Sequence, residues 1–325
     1  MNSEKPLVSV FMITYNHEKY IAQAIESALM QKTNFNYEIV IGEDCSTDRT
    51  REIVVDYANR YPEIIKPILH ETNVGAKANS ESVRKACTGK YVAILEGDDY
   101  WIDPLKLQKQ VDFMESHPDF SMCFHRAIVV DELGKDLGYY WPKKSWAKQI
   151  TYFEDIIERN YISTQTVVYR NNLFDKHLYN KLCDDLSFGD WVLHILNSLQ
   201  GPIMFLDECM AAYRKTGYGA SATTSKIKLA KDILKLYERI ESHKFNGLPK
   251  ERVSRFKKRQ LLILARVYGE EGDFEAAKGF LKQSENYNKI SLSLIKPAIA
   301  ARLSIYYPKI YDVTIRIHRI LKKLV

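Results

Sequence analysis

Through the first hundred residues, short unbroken apolar runs alternate with amphipathic segments. Residues 7–13 form a near-continuous apolar run with β-branched members, as expected for a strand covered on both faces. Thr14, Tyr15, Asn16 and His17 then turn the chain. Tyr20, Ile21, Ala24, Ile25, Ala28 and Leu29 recur at helical spacing, which predicts a helix packed back on that strand. A second apolar run, residues 37–42, ends in Glu43, Asp44 and Asp48, and Ile53, Val54, Tyr57 and Tyr61 mark a second helix. Residues 64–69 read as a third strand, and Pro67 within it favours a sheet edge. A helix follows to about Ala86, Gly89 stops it, and residues 91–95 form a fourth strand that breaks into Glu96, Gly97, Asp98 and Asp99. Uninterrupted alternation of strand and helix predicts a parallel α/β sheet with right-handed crossovers. Ligands of such sheets bind beyond the carboxyl ends of the strands.

The chain has 325 residues, 46% of them hydrophobic and 27% charged, which is ordinary globular composition and long enough for one large or two moderate domains. Residues 1–6 are polar and the first apolar run is only strand-length, so no signal peptide is expected. No apolar stretch approaches the ~20 residues of a spanning helix. Cys45, Cys87, Cys123, Cys183 and Cys209 are odd in number and lack Cys-x-x-Cys spacing, which argues for a reducing cytoplasm and against structural zinc. The net charge of +6 is mild, and no aromatic-basic platform accompanies it, so nucleic acid is not expected as a partner.

Three strand ends place Tyr15 and Asn16, Glu43 and Asp44, and Glu96, Asp98 and Asp99 along one edge of the expected sheet. Crowded carboxylates repel one another unless a cation sits among them or water surrounds them. Mg²⁺ or Mn²⁺ fits, because such an ion takes one or two carboxylates and completes its shell with water and substrate phosphates. The alternative is a solvated acidic turn leading into a helix capped by Asp103 and started by Pro104.

Four motifs make the comparison specific. They are Val8-Ser-Val with Met12 and Thr14-Tyr-Asn16; Glu38-Ile-Val-Ile-Gly-Glu-Asp-Cys-Ser-Thr-Asp48 with Thr50; Asn73 with Gly75; and Gly89-Lys-Tyr-Val-Ala-Ile-Leu-Glu-Gly-Asp-Asp-Tyr-Trp101. Their order resembles that of family 2 glycosyltransferases, over residues 7 to about 221. The resemblance implies an α/β fold of the GT-A type: a Rossmann-like nucleotide-sugar-binding domain, here followed by a mainly α-helical C-terminal region. It also implies a nucleotide-sugar donor, a divalent metal and inversion at the anomeric carbon.

Carried over by position, Tyr15 resembles the residue stacked near the base and Asp44 the acceptor of the base imide N–H. Asn16, Glu43, Asn73, Gly75, Glu96 and Gly97 fall in the same nucleotide-binding motifs. Asp98 matches the metal ligand of the family's Asp-x-Asp motif, with Glu96 standing where aspartate is usual. Gly189-Asp190-Trp191 resembles the segment whose aspartate is the catalytic base, which makes Asp190 the expected base. Asp190 also sits in the first turn of an expected helix, where the dipole alone favours an acid. Asp99, Trp101, Trp191, Arg214 and Lys215 are expected near the diphosphate or the acceptor, as are Trp141 and Trp146 in an aromatic loop over residues 139–146. Residues 213–221 resemble the family's Tyr-Arg-x-His segment, yet no histidine stands at 215–218, so Lys215 or Arg214 is expected to supply positive charge instead.

From residue 225 the composition shifts to long Lys-, Leu- and Ile-rich helices, which sets expected domains at 1–222 and 223–325. Residues 262–284 resemble one tetratricopeptide hairpin. The last helix, within 308–325, places Val313, Ile317, Leu321 and Leu324 on one face among Lys309, Arg316, Arg319, Lys322 and Lys323. That pattern fits a peripheral helix at a membrane surface, and equally a basic helix docked on its own core. The sequence reading is thus a cytoplasmic inverting glycosyltransferase, acting at the inner face of the cytoplasmic membrane. It would move a hexosyl or N-acetylhexosaminyl group from a UDP-sugar to a glycan or lipid-linked acceptor in bacterial surface polysaccharide synthesis. A nucleotide-sugar hydrolase or pyrophosphorylase, or a binding module without turnover, are the alternatives.

Overall fold

A computed structural model describes residues 5–217, 224–243, 245, 248, 250–287, 292–312 and 315. The chain divides into two compact units, residues 1–179 with 189–219 and residues 180–188 with 220–325. The first unit is built on a mixed sheet of ten strands. Strands β1 (Val8–Thr14), β2 (Tyr37–Glu43), β3 (Ile65–Leu69) and β4 (Tyr91–Ile94) are parallel, in the order β3-β2-β1-β4. Helices α1 (Ile21–Leu29), α2 (Thr50–Arg60) and α3 (Gly75–Ala86) connect them. Pro67 lies on the outermost of these strands, where its missing N–H breaks no ladder.

Beyond β4 the sheet stops being parallel. The chain runs through β5 (Tyr100–Trp101), α4 (Lys106–Ser116), β6 (Met122–Val130), β7 (Asp136–Trp141), β8 (Ile150–Thr151), α5 (Phe153–Ile156) and β9 (Val168–Arg170). Then follow α6 (Lys176–Leu182), α7 (Asp190–Ser198) and β10 (Ile203–Arg214). Strand β9 inserts antiparallel between β4 and β6, and β10 runs parallel to β6 on its other side. Three details depart from the sequence reading. The two expected strands at 203–206 and 210–214 are one, because register shifts around Cys209 absorb the acidic Asp207 and Glu208. The aromatic loop at 139–146 begins as strand, since β7 pairs with β6. Helix α4 starts at Lys106, after a turn in which Asp103 Oδ1 accepts the Leu105 N–H at 2.8 Å.

The core joins Val10, Met12, Ile39, Ile41, Ala93 and Leu95 of the sheet to Ile21, Ile25, Val54, Leu107, Val111 and Met114 of the helices. Full burial of each large side chain contributes about 1.5–3 kcal/mol. A charge is buried with them: Glu38 accepts Ser9 Oγ at 2.6 Å and the Thr88 N–H at 2.9 Å, and pairs with Lys66. Burial alone would raise the Glu38 pKa, but these bonds, led by Lys66, hold it below the ordinary value.

The second unit contains α8 (Lys226–His243), α9 (Lys250–Glu270), α10 (Phe274–Glu285) and α11 (Leu292–Tyr306). Leu262, Ala265, Ala277, Leu281, Leu294, Ala301 and Ile305 form its apolar centre. The α9–α10 turn uses Gly272 at φ +84° and an Asp273 cap on the Ala276 N–H at 3.1 Å. Among the described residues no helix is long and apolar enough to cross a membrane. Of the basic terminal segment, 313, 314 and 316–325 lie outside the described residues.

Gly42 is held small by its neighbours, since a Cβ there would stand 2.0 Å from Asn79 Oδ1 and 2.5 Å from Val83 Cγ2. Asn79 in turn donates to the Gly42 carbonyl at 2.9 Å. Gly42→Ala is expected to destabilise the chain by about 1–3 kcal/mol, read as a lower midpoint in urea unfolding with an unchanged slope.

Candidate active site

The carboxyl ends of β1, β2 and β4 carry the three expected groups of residues to one edge. Tyr15, just past β1, is 42% exposed and its ring is free to meet a ligand. Asn16 takes a left-handed conformation at φ 54°. Its own N–H donates to Ser46 Oγ at 3.0 Å and its Oδ1 accepts the Thr47 N–H at 2.9 Å. Asn16 therefore braces one loop on the next. Glu43 is buried, accepting the Ser46 N–H at 2.7 Å and pairing with Arg51. Asp44 is also buried, and its two oxygens accept the Val74 and Gly75 N–H groups at 2.7 and 3.0 Å. Those amides open α3, so the helix dipole favours the charge. Asn73 Nδ2 donates to the Asp44 carbonyl at 3.2 Å, and Gly75 supplies the positive φ of +84° that the turn needs.

Gly97 packs where a Cβ would stand 2.7 Å from Thr14 Oγ1, and its N–H donates to the Ile13 carbonyl at 3.0 Å. That contact holds the acidic turn against the end of β1. Oxygens of Glu96, Asp98 and Asp99 lie within 4.8 Å of one another. Burial, then the charges of Asp98 and Asp190, push the Glu96 pKa up to about 8. Burial, then Asp98 and Glu96, raise Asp99 well above the ordinary range. Asp99 Oδ1 accepts the Arg214 N–H at 2.7 Å, while its Oδ2 is buried with no protein partner. A set of hard oxygens, mutually repelling and one of them unpartnered, suits a hard divalent cation.

Asp190 opens α7, half-buried, and its influence on Glu96 brings it into the same electrostatic cluster. Burial raises the Asp190 pKa, against the lowering effect of the Trp191 N–H and of Asn160. Asn160 Nδ2 donates to Asp190 Oδ2 at 2.7 Å, and Asn160 Oδ1 accepts from the Ile162 N–H at 3.2 Å and meets His194 Nδ1 at 3.1 Å. His194 lies one turn beyond Asp190, buried, with its pKa pushed down to about 3 by burial, so the ring is neutral and Nδ1 can carry a proton toward Asn160. The sequence reading missed Asn160. Its only local signal is a polar residue between the apolar stretches at 156–157 and 161–162.

Several residues expected at the diphosphate or acceptor also make structural contacts. Trp101 is 1% exposed, its Nε1 donates to the Gln165 carbonyl at 2.9 Å, and the Lys106 ammonium lies 4.0 Å from its ring centre. Lys106 is itself fully buried, which pushes its pKa down to about 7. Trp191 is 8% exposed and donates from Nε1 to the Ile156 carbonyl at 2.7 Å, steadying α7 from below. Arg214 is 4% exposed; Nε donates to the Asp98 carbonyl at 2.9 Å, one terminal nitrogen to Glu132 O at 3.0 Å and the other to Gln23 Oε1 at 2.6 Å. Its charge remains beside the acids, but its donors face the protein. Lys215 is exposed, over the Tyr139 ring at 5.2 Å. Trp141 and Trp146 meet edge to face at 5.2 Å. The remainder of the segment compared with Tyr-Arg-x-His, 218–221, lies outside the described residues.

A strand-borne acidic turn facing a helix-borne aspartate is the arrangement of the GT-A fold, and the profile of glycosyl transferase family 2 matches residues 9–183. This chain belongs to that family. An uncharacterized protein of Mycobacterium tuberculosis is 40% identical over 224 residues, 68% of this chain and 63% of the relative. The match thus spans less than two thirds of that mycobacterial protein. A Bacillus subtilis protein named "Putative teichuronic acid biosynthesis glycosyltransferase TuaG" is 30% identical over 242 residues, 74% of this chain and 91% of the relative. The crystal structure of S. aureus TarS 1–349 with UDP-GlcNAc superposes with a TM-score of 0.56 at 22% identity, covering 90% of this chain and 79% of that one. The shared fold is the mixed GT-A sheet with a helical C-terminal region.

Because the folded chain raises the Glu96 pKa from 4.5 to about 8, it binds that proton more tightly than the unfolded chain does. Stability from this group is present at low pH and is lost as pH rises toward 8. A divalent cation should reverse the loss. In thermal unfolding, Mn²⁺ at a hundredfold excess over its Kd should stabilise by about 2.7 kcal/mol, with a larger Tm shift at pH 8 than at pH 5. No shift at either pH would show that the cluster holds no cation.

Proposed function

We propose that this chain transfers a sugar, a hexosyl or N-acetylhexosaminyl group, from a UDP-sugar to a hydroxyl of a glycan or lipid-linked acceptor in surface polysaccharide synthesis, with inversion at the anomeric carbon. The observation that carries the reading is the shared electrostatic cluster of Asp190 with the Glu96-Gly97-Asp98-Asp99 turn. Family membership and the names of the relatives support it.

In this reading Tyr15 offers its exposed ring to the base, and Asp44 accepts the base N–H with lone pairs left over from its two amide bonds. Glu96 would reach the ribose or a water on the ion. Asp98 would hold Mg²⁺ or Mn²⁺, with the unpartnered carboxylate oxygen of Asp99 available as a further hard donor. The ion, when bound, offsets negative charge on the departing nucleoside diphosphate. Asp190 orients the acceptor hydroxyl and takes its proton as the new C1–O bond forms and the C1–O bond to the diphosphate breaks. A carboxylate is a weak base toward an alcohol, so proton transfer is late, and burial strengthens the base by raising its pKa. Asn160 and His194 fix the direction of the Asp190 oxygen. One in-line displacement needs one such base and inverts the centre.

We place this activity at the cytoplasmic face of the membrane, approached through residues 308–325. Tyr306, Tyr307 and Ile310 next to and within that segment are 55%, 59% and 57% exposed, which supports contact with an apolar surface.

Asp190→Asn is expected to lower transfer by about 10²–10⁴-fold without lowering Tm, because a neutral isostere relieves a buried charge. Activity should fall as pH drops through the raised Asp190 pKa, and NMR of the product should show the opposite anomeric configuration to the donor. Retention of transfer in Asp190→Asn, or release of free sugar at the same rate with and without acceptor, would sink the reading. Asn160→Ala should reduce kcat while leaving the donor KM unchanged, whereas Tyr15→Ala should raise the donor KM.

A further inference from the structure

Beside the acids runs a strip of rings and cations that the transfer chemistry above does not use. Tyr139 and Trp141 point to the same side of β7, two residues apart. Trp141 meets Trp146 edge to face at 5.2 Å. Arg159 and Lys143 lie over the Trp146 ring at 4.5 and 5.2 Å, and Lys215 lies over Tyr139 at 5.2 Å. Both ends of the strip abut the candidate site. Arg159 precedes Asn160, which bonds Asp190; Lys215 follows Arg214, which bonds Asp98 and Asp99. Neighbouring Cα atoms are about 3.8 Å apart, so at both ends the backbone of the strip adjoins a residue bonded to the acidic cluster.

Among the described residues no carboxylate pairs with Lys143, Arg159 or Lys215, whose partners are rings. Lys148, by contrast, is neutralised by Asp155 at 2.6 Å. A cation held on an aromatic face keeps its charge and its outward N–H donors while losing rotamer freedom in advance. Such donors suit an incoming anion, because little entropy remains to be lost on binding. Three ordered cations beside a cluster that itself repels anions make sense if the ligand carries negative charge away from the reacting hydroxyl. We propose that the strip is an acceptor subsite for an anionic glycan, one that bears phosphodiester or carboxylate groups along its chain, with Arg159 and Lys143 as its main anion contacts. The proposal rests on the glycosyltransferase reading for the role of the ligand, but not for its binding.

The test titrates the full chain, in the presence of Mn²⁺ and UDP, with three oligomers of matched length. They are a poly(glycerol phosphate), an oligogalacturonate and a neutral maltooligosaccharide. Tryptophan fluorescence is the readout, since Trp141 and Trp146 line the strip. Binding of one or both anionic oligomers, weakening with added salt, with no response to the neutral one, is the expected result. Preference for the phosphate or the carboxylate oligomer identifies the source of the charge. Arg159→Ala and Lys143→Ala should each weaken that binding about tenfold, and Arg159→Lys should restore part of it. UDP affinity, read by thermal shift, should not change in these variants. Equal binding of the neutral oligomer, or full anion affinity in the Arg159→Ala/Lys143→Ala double variant, would overturn the subsite. If UDP fails to bind while the anionic oligomers do, the donor assignment falls and the subsite stands. If UDP binds and neither anionic oligomer does, the subsite falls alone.

Discussion

Mutual repulsion among three carboxylates is the constraint around which the first unit is arranged. Glu96, Asp98 and Asp99 are held within 4.8 Å of one another by a turn that would relax if it were free to do so. Two restraints prevent this. Gly97 lets the turn lie flat against Thr14, and Arg214 grips it from the far side through the Asp98 carbonyl and the Asp99 carboxylate. Arg214 can do so because β5 and β10 pair antiparallel, with Ala211 opposite Trp101 and Ala212 opposite Tyr100. The guanidinium is then stacked near Tyr20 and Tyr100 at 4.8 and 5.2 Å. Strand pairing, one arginine and one glycine together keep the three acids close. The proton affinity that Glu96 and Asp99 gain there expresses the receptiveness of the site to positive charge.

The same logic separates what was readable in the sequence from what was not. Strands ending in acids were legible, since an apolar run and the charge that follows it are adjacent along the chain. The order of the motifs was legible for the same reason. Strand β9 was not: three residues, Val168–Arg170, give too short a pattern to show their direction, and only pairing with both β4 and β6 makes them a strand. The burial of Trp101 was not legible either, because an aromatic beside an acidic motif looks available. Its burial depends on Gln165, distant in sequence, and on Lys106, whose ammonium is accommodated against the indole face. The partners of Arg214 were equally hidden, since its donors go to Gln23, Asp98 and Glu132, which no local pattern connects.

The support of the proposed base lies equally deep. Asn160 reaches Asp190 from a segment thirty residues away in sequence, while His194 comes from the helix that Asp190 itself opens. A neutral imidazole, an amide and a carboxylate in series set an orientation without adding charge to a region already crowded with it. Trp191 anchors the same helix to the Ile156 carbonyl. Segments from both sides of β9 therefore converge on one oxygen atom.

Asp44 ties the second strand to the third helix by accepting two successive amides at its start. That double duty limits how the pocket can diverge. Exchange of this side chain would loosen the helix, so in the proposed reading, where Asp44 meets the base, donor selectivity is open to change only through the residues around it. The scaffold thus carries a bias that point substitution at Asp44 cannot undo.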